Sequence, residues 1–156
     1  LYLFNMKFNK KKCLIRNVKF GKNVTIIEPV NLYGCEIKDN CFIGPFVEIQ
    51  ENVKIGKNTR VQSHSFICSN VNIGENCFIG HGVFFINDKF RNNKLERNKK
   101  NFLKTKVGSE VLIGSNSTIL PVNIESKVII GAGSVVTKNC LKKKIYVGNP
   151  AKEIKK

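Results

Sequence analysis

The feature that most constrains the fold of this 156-residue chain is an aliphatic or aromatic residue that recurs every six positions. The recurrence runs from Ile37 to Phe85 and returns at Val107 after an interruption. Glycine often follows the recurring residue, and a small or β-branched residue often falls four positions after it. Neither a helix nor an alternating strand has a period of six. Because hexapeptide repeats are typical of parallel β-helices, the sequence predicts an all-β fold of this kind.

The repeat also predicts which residues stack on one another. Three hexapeptides make one triangular coil, so positions eighteen apart share a face. The faces are therefore predicted to hold the hexapeptides that begin at 37, 55 and 73, at 43, 61 and 79, and at 49, 67 and 85. Two repeats are one residue short, Leu32 to Ile37 and Ile119 to Ile124. Both fall at the same corner if the coil resumes at Val107, which supports this register.

The chain is predicted to form a single domain over residues 1–156. Its parts are an N-terminal cap (1–19), β-helix coils (20–87 and 105–140), an extruded loop (88–104) and a C-terminal tail (141–156). The loop is polar and basic with interspersed apolar residues, which favours docking on a neighbouring subunit; disorder is the alternative. The end of the tail, from Glu153 onward, is expected to form a short helix or to fray.

Charge, hydropathy and cysteine usage indicate which partners and which location to expect. The net charge is +16, but the lysines are scattered and no aromatic–basic interleaving is present, so no nucleic-acid partner is predicted. A small polyphosphorylated ligand fits the positive charge better, and solvation of the outer faces is the alternative explanation. No run of eighteen apolar residues is present, so no membrane span is predicted. The six cysteines lack metal-site spacing, and we expect them to be reduced and structural in a cytoplasmic protein.

Several segments resemble a known family. The segment I-I-G-A-G-S-V-V-T-K-N and the later V-G-N-P-A-K resemble the left-handed β-helix acyltransferases. The segments P-V-N-L-Y-G-C-E-I, I-G-P-F-V-E-I-Q, Q-S-H-S-F-I-C and I-G-H-G-V-F-F-I-N-D-K-F are more particular, and resemble N-acetyltransferases of dTDP-linked 3-amino-3,6-dideoxyhexoses. The resemblance covers about residues 20–152.

This resemblance implies a left-handed β-helix that works as a homotrimer in surface glycan biosynthesis. Acetyl-CoA would be the co-substrate, without a metal, and would lie in the groove between adjacent subunits. The extruded loop would reach across to the neighbouring subunit, and the acceptor would be a dTDP-amino sugar.

The two histidines are candidate catalytic residues. His81 is the third residue of its hexapeptide and His64 is the fourth residue of a hexapeptide one coil away, so we expect them to be close neighbours. A lone histidine is more often structural. The pairing just before the loop favours His81 as the group that accepts a proton from the attacking amine or orients it, and His64 as its partner or a sugar contact.

A second column of side chains, Glu51, Ser69 and Asn87, is predicted on the next face. Asn87 begins the loop, and its amide both donates and accepts hydrogen bonds, so we expect it to contact the sugar or position the amine. An ordinary turn asparagine is the alternative. Asp88 either pairs with a protonated amine or caps the turn. Ser69 completes the predicted substrate-binding set.

The late coils are the candidates for binding CoA. Gly131-Ala132 and Gly114-Ser115 allow a ligand to approach the backbone closely, and the Ala132 N–H is a candidate donor to the pantetheine arm. The remaining candidates are Lys138, Lys142 and Lys152 for the phosphates, and Asn149 and Pro150 for the adenine.

Other functions remain open at the level of sequence. An O-acetyltransferase or a UDP-amino-sugar acyltransferase of the same fold is the first alternative. The resemblance implies that a galactoside-type O-acetyltransferase of this class would have a histidine near the loop start, around Phe90, and none is present there. This absence favours an amine acceptor, because a hydroxyl needs a stronger base than an amine. A zinc hydratase requires a third histidine ligand, which two histidines at this spacing do not supply. A non-catalytic β-helix binding module is the remaining alternative.

Overall fold

A computed structural model describes residues 15–90 and 93–155, which form a triangular solenoid of parallel β-sheets. Six complete coils follow one another along the chain, and a seventh begins at Cys140, which bridges to Ile124. The predicted all-β parallel β-helix is therefore confirmed. Most of the predicted cap, residues 1–14, lies outside the described residues, as does Cys13.

Each coil contributes one short strand to each of three sheets. Sheet 1 contains β1 (Lys19–Phe20), β4 (Glu36–Ile37), β7 (Lys54–Ile55), β10 (Val71–Ile73), β13 (Thr105–Val107) and β16 (Asn123–Ile124). Sheet 2 contains β2 (Thr25–Ile26), β5 (Phe42–Ile43), β8 (Arg60–Val61), β11 (Phe78–Ile79), β14 (Leu112–Ile113), β17 (Ile129–Ile130), β19 (Ile145–Val147) and β20 (Lys152–Ile154). Sheet 3 contains β3 (Asn31–Leu32), β6 (Glu48–Ile49), β9 (Phe66–Ile67), β12 (Phe84–Phe85), β15 (Thr118–Ile119) and β18 (Val135–Val136).

The strand pairing confirms the predicted register. Ile37 pairs with Ile55 on sheet 1, and Ile43 pairs with Val61 on sheet 2. Val107 pairs with both Ile73 and Ile124, so the coil resumes at Val107 after the loop. Both short repeats lie at the corner between sheets 3 and 1, where each removes one residue without moving any inward side chain to the other face.

The core runs the length of the prism and consists of the recurring aliphatic residues. Ile37, Ile43, Ile49 and Ile55 are fully buried, as are their counterparts in later coils. Smaller inward residues occupy the corners, and the polar ones among them bond to the next coil. Thr59 Oγ1 donates to the Gly74 carbonyl at 3.0 Å. Small inward residues therefore leave room for the corner and also tie neighbouring coils together.

The outer corners turn through left-handed backbone conformations. At the corner between sheets 1 and 2, Asn23, Asn40, Asn58 and Asn76 have φ angles of 55–58°. Their side chains form a ladder in which each amide Nδ2 donates to the next Oδ1, at 3.0–3.3 Å. Asparagine tolerates this conformation better than most residues do. The ladder was not predicted, although an asparagine three positions after the recurring residue is visible in the sequence.

The C-terminal tail extends sheet 2. β19 pairs in parallel with β17, and β20 folds back antiparallel to β19 through Gly148, Asn149 and Pro150. The expectation of a short helix or a frayed end from Glu153 onward is therefore wrong for Glu153 and Ile154, which belong to β20. The upper edge of sheet 2 offers unpaired backbone groups to the tail, and pairing with them satisfies those groups.

Close stacking at the corners predicts a difference between two glycines. A Cβ at Gly56 would lie 2.4 Å from the Gly74 carbonyl carbon, whereas a Cβ at Gly133 would meet nothing within 4 Å. We expect Gly56→Ala to lower the free energy of unfolding by about 3 kcal/mol through overpacking. Gly133→Ala, strained only by its φ of 67°, should cost about 1 kcal/mol. Urea unfolding of both variants measures these losses, and equal losses would contradict the close-stacking explanation.

Candidate functional site

The loop folds back on its own prism and forms a cleft of about 690 Å³ at the corner between sheets 3 and 1. The sheet side of this cleft is lined by Tyr33, Gln50, Glu51, Phe66, Cys68, Ser69, Phe84, Phe85 and Thr118, and the loop side by Ile86, Asn87, Asp88, Phe90, Leu95, Lys99 and Phe102. The predicted column of Glu51, Ser69 and Asn87 is therefore present, and all three side chains face one space.

Hydrogen bonds within the loop explain its compact path. Asp88 Oδ1 accepts from the Phe90 N–H at 2.8 Å, and Asp88 Oδ2 accepts from the Glu96 N–H at 3.0 Å. Of the two roles considered for Asp88, this geometry is that of a turn cap. At the far end of the loop, the Leu103 N–H donates to the Asn87 carbonyl at 3.0 Å, which closes its base.

One ion pair fastens the loop to the prism. Lys99, in the 3₁₀ turn Lys99–Asn101, lies with its Nζ 2.6 Å from Glu51 Oε1. Lys99 and Glu51 are partly exposed, so the pair contributes little to the free energy of folding and serves mainly to place the loop. The resemblance implied a loop that reaches a neighbouring subunit, whereas these contacts lie within one subunit.

Burial and nearby carboxylates shape the electrostatics of the cleft. Burial is the main reason that the pKa of Tyr33 is raised, and the negative charges of Glu48 and Glu51 raise it further. The tyrosine therefore stays neutral and keeps its hydroxyl proton near neutral pH. A neutral hydroxyl beside acceptor side chains is suited to binding a polar, uncharged or cationic group.

The histidines lie at a different corner, between sheets 2 and 3. His81 Nδ1 lies 2.8 Å from Ser63 Oγ in the coil below. His64 stacks on Phe46 with ring centroids 4.8 Å apart and an angle of 15° between the rings. Both His64 and Phe46 have φ near 60°, a conformation that bulky residues rarely adopt. The predicted proximity of His64 and His81 follows from the observed pairing of Ile79 with Val61.

Within one chain the predicted catalytic residues do not come together. His81 and His64 lie at one edge of sheet 3, and Asn87 lies at the opposite edge beside the loop. Five residues, 82–86, lie between His81 and Asn87, and an extended segment of this length at about 3.3 Å per residue spans roughly 20 Å. A site that uses both His81 and Asn87 must therefore combine two subunits.

The predicted CoA residues also divide between corners. Ser115 and Ala132 lie above His81 at the corner between sheets 2 and 3, and in the described part of the chain neither backbone N–H donates a hydrogen bond. Asn149, Pro150 and Lys152 belong to the same region, because the Ala151 N–H donates to the Val135 carbonyl at 2.8 Å. Lys138 instead lies at the corner between sheets 3 and 1, two residues after β18.

The glycines in this region have a packing role. A Cβ at Gly114 would lie 2.4 Å from the Ala132 nitrogen, and one at Gly131 would lie 2.6 Å from Val147 Cγ1. Close contact between coils, and between the last coil and the tail, therefore suffices to explain both glycines.

Lys142 lies in the tail, where its N–H donates to Glu125 Oε2 at 2.9 Å.

Sequence reasoning missed several residues of the cleft. Gln50 hydrogen-bonds to Ser69, Lys99 pairs with Glu51, and Phe66 lies beside Phe84 with ring centroids 6.4 Å apart. The signal available for Gln50 and Phe66 was their place beside Glu51 and Ile67 in the repeat. Lys99 gave no such signal, because loop residues have no register.

Two further features concern metals and membranes. Across residues 15–90 and 93–155, no three His, Cys, Asp or Glu side chains are grouped as a metal site would require. Over the same ranges, no helix has both the length and the apolar character of a membrane span.

The repeats match two family models. Residues 34–69 match the bacterial transferase hexapeptide (six repeats), and residues 70–84 and 104–138 match the hexapeptide repeat of succinyl-transferase. Together these matches cover more than half of the chain. The chain belongs to the hexapeptide-repeat acyltransferases. A search of curated proteins found no significant match.

Solved structures of other hexapeptide-repeat acyltransferases resemble this one. A mutant of AntD, an N-acyltransferase from Bacillus cereus in complex with dTDP and coenzyme A, has a TM-score of 0.79 and 26% identity, with 88% of this chain and 82% of that chain covered. A hexapeptide transferase family protein from Anaplasma phagocytophilum has a TM-score of 0.74 and 17% identity, with 88% and 78% covered. A maltose O-acetyltransferase from Clostridium difficile 630 has a TM-score of 0.61 and 23% identity, with 88% and 70% covered. The last two similarities show the fold alone.

Cys68 lines the cleft, but its thiol is expected to be unreactive. Cys68 is 2% exposed, and burial raises the pKa of its thiol to about 12. Across the described residues five cysteines are free and buried, as predicted for structural thiols, and Cys13 lies outside these residues. A thiol that stays protonated at neutral pH is a poor nucleophile, so an acyl-cysteine intermediate at Cys68 is not expected.

The raised pKa of Cys68 predicts a pH dependence of stability. The folded chain keeps this thiol protonated, whereas the unfolded chain releases the proton above about pH 9. The stabilisation is therefore present below pH 9 and is lost as the pH rises towards 12. Between pH 8 and pH 10, the free energy of unfolding should fall by about 1 kcal/mol more in wild type than in Cys68→Ala. Denaturant unfolding at both pH values tests this, and parallel decreases would contradict it.

Proposed function

We propose that this chain is an acetyl-CoA-dependent N-acetyltransferase that acts on the 3-amino group of a dTDP-linked 3-amino-3,6-dideoxyhexose for surface glycan synthesis. The observation that carries the proposal is the arrangement at the two edges of sheet 3. One edge has a cleft of about 690 Å³ with mainly apolar walls and a few polar side chains, among them Gln50, Ser69 and Asn87. The other edge has His81 below the Ser115 and Ala132 N–H groups, which donate no hydrogen bond within the described residues. The similarity to AntD, which was crystallised with dTDP and coenzyme A, supports this pair of substrates.

Acetyl-CoA would bind along the corner between sheets 2 and 3. The Ser115 and Ala132 N–H groups would bond the pantetheine arm, while Asn149, Pro150 and Lys152 would meet the nucleotide end. The net charge of +16 favours a ligand with several phosphates. Because Lys138 lies at the other corner, its role in binding the same CoA requires the neighbouring subunit. The buried free thiols support a cytoplasmic location, where acetyl-CoA is available.

The reaction would be direct transfer. The acceptor nitrogen attacks the thioester carbon and forms the C–N bond of a tetrahedral intermediate, which collapses as the C–S bond breaks. His81 accepts the proton that the nitrogen loses, and the thiolate leaves as the CoA thiol after it takes a proton. When Nδ1 donates to the Ser63 oxygen, Nε2 is the nitrogen that accepts the proton. Asn87 and His64 would hold the sugar and orient the amine.

The faces of the prism support a homotrimer with sites between subunits. The outward residues of sheet 1 are polar, among them Lys54, Asn72 and Lys106. Those of sheet 2 include the exposed apolar side chains of Phe78, Leu112 and Ile129 in three successive coils. A second copy of the chain that covers this apolar ridge would bring the histidine corner of one subunit towards the loop corner of another.

The first test measures thiol release from acetyl-CoA with dTDP-3-amino-3,6-dideoxyglucose and with its galactose epimer. Release that requires one of these sugars, with an N-acetylated product by mass spectrometry, is the expected result. dTDP-glucose, which lacks the amine, is the control. Release with the control at an equal rate would favour an O-acetyltransferase, and release with neither amine would overturn the proposed substrate.

The second test concerns His81. His81→Gln should lower kcat by about 10²–10⁴-fold, because the amine proton loses its acceptor. Ser63→Ala, which removes only the partner of Nδ1, should lower kcat by about tenfold. Asn58→Ala, at the corner between sheets 1 and 2, is the control and should leave kcat unchanged. Unchanged turnover in His81→Gln would point instead to the departing thiolate as the proton acceptor.

The third test concerns the trimer. Wild type should sediment at about three times 17.6 kDa. Phe78→Glu places a charge on the apolar ridge and should yield monomers with little acetyl transfer. Asn72→Glu makes the same acidic substitution in the same coil on sheet 1, and should remain trimeric and active. A trimeric Phe78→Glu protein would exclude this ridge as the interface.

A further inference from the structure

A chain of hydrogen bonds runs along sheet 3 to Gln50 and Ser69, which we call the floor of the cleft. Asn31 Nδ2 donates to Glu48 Oε2 at 3.0 Å, and Gln50 Nε2 donates to Glu48 Oε1 at 2.9 Å. Both oxygens of the carboxylate therefore accept a hydrogen bond from a neutral amide. A carboxylate has no proton to donate, so it fixes which end of each amide faces it.

The orientation of Gln50 determines what its other end does. With Nε2 committed to Glu48, Gln50 Oε1 faces Ser69 and accepts from both the Ser69 N–H and the Ser69 hydroxyl, each at 3.3 Å. Ser69 is only 4% exposed, yet it lines the cleft. Its hydroxyl proton is directed at Gln50 Oε1, and its lone pairs are left to accept from a ligand.

The surroundings of Ser69 are also rich in acceptors. Glu51 and Asp88 contribute carboxylates to the same cleft, and the one ammonium group in the described lining, that of Lys99, is paired with Glu51. A diphosphate would meet more negative than positive charge here. A group with N–H or O–H bonds would find acceptors on the floor.

We propose that Glu48 and Gln50 are positioning residues that make Ser69 a hydrogen-bond acceptor, so that the cleft selects the amine-bearing sugar of the substrate. The diphosphate and base would then lie outside the floor of the cleft. This inference rests on the proposed function and names the end of the substrate that enters. A substituent that only accepts hydrogen bonds would leave Ser69 unpaired and bind more weakly.

Matched ligands test the polarity of the floor. The probes are dTDP-3-amino-3,6-dideoxyglucose and the 3-azido analogue, whose azide accepts but does not donate. Calorimetry on wild type should show at least tenfold tighter binding of the amine. Gln50→Met, which keeps the side-chain length but frees the Ser69 hydroxyl to turn, should reduce this preference to about twofold. Equal binding of both probes to wild type would overturn the inference.

Exchanging the two polar residues provides a rescue. In Glu48→Gln alone, the amide at position 48 has one acceptor oxygen instead of two and cannot accept from both Asn31 and Gln50. The preference for the amine should therefore fall. In Glu48→Gln/Gln50→Glu, each donor again faces an acceptor, and Ser69 again donates to position 50. The double variant should regain the preference to within about threefold of wild type. A preference lost in both variants despite unchanged thermal unfolding would overturn the positioning role.

Failure of the proposed function and failure of this inference give different results in these experiments. Preferential binding of the amine without thiol release would remove the transferase proposal and leave this inference standing. If neither nucleotide sugar binds, the substrate proposal fails, and crystals soaked in glucosamine then test the floor. A glucosamine nitrogen within 3.2 Å of Ser69 Oγ would support the inference. An empty cleft, or a sugar that turns its ring oxygen towards Ser69, would overturn it.

Discussion

The parallel stacking of one coil on the next is the constraint on which the rest of this structure depends. Each short strand has only two or three residues, too few to be stable alone. Its backbone groups pair with the coils above and below, and its inward aliphatic residue packs on those of the same neighbours. Since no strand has another source of stability, the register has to be kept along the whole prism. The six-residue repeat of the sequence follows from that requirement.

The corners are where this scaffold accommodates variation. A corner must turn the chain from one face to the next within a few residues, and it does so with left-handed conformations and small inward side chains. Most such positions hold asparagine or glycine, but Phe46 and His64 occupy two of them at the histidine corner. Phe46 is 57% exposed, so neither burial nor easy backbone geometry explains it. Unusual residues at strained positions are more common at functional sites, and this corner is the one that carries His81.

The corner between sheets 3 and 1 varies by length. Several of its turns are shortened, including those from Leu32 to Ile37 and from Ile119 to Ile124, and one is expanded into the loop that forms the cleft. Because the flanking strands keep their register, the loop can change without disturbing the core. The scaffold therefore separates two requirements: the repeat provides stability, and one corner with its loop shapes the cleft. The same separation places Asn87 and His81 on opposite edges of sheet 3, so the proposed chemistry depends on assembly.

The sequence alone determined the coil, its register and the inward residues, because a six-residue period leaves a single consistent way to stack apolar side chains. It also placed Glu51, Ser69 and Asn87 in one column, since residues eighteen apart must lie above one another. The path of the loop was decided only by tertiary structure, because its residues have no periodic neighbours: Asp88 finds its partners within the loop, and Lys99 finds Glu51 across the fold. The orientation of Gln50 and Ser69 was likewise invisible in the sequence. It depends on hydrogen bonds to Glu48 and Asn31, and the direction of a hydrogen bond is fixed only when the side chains face one another in space.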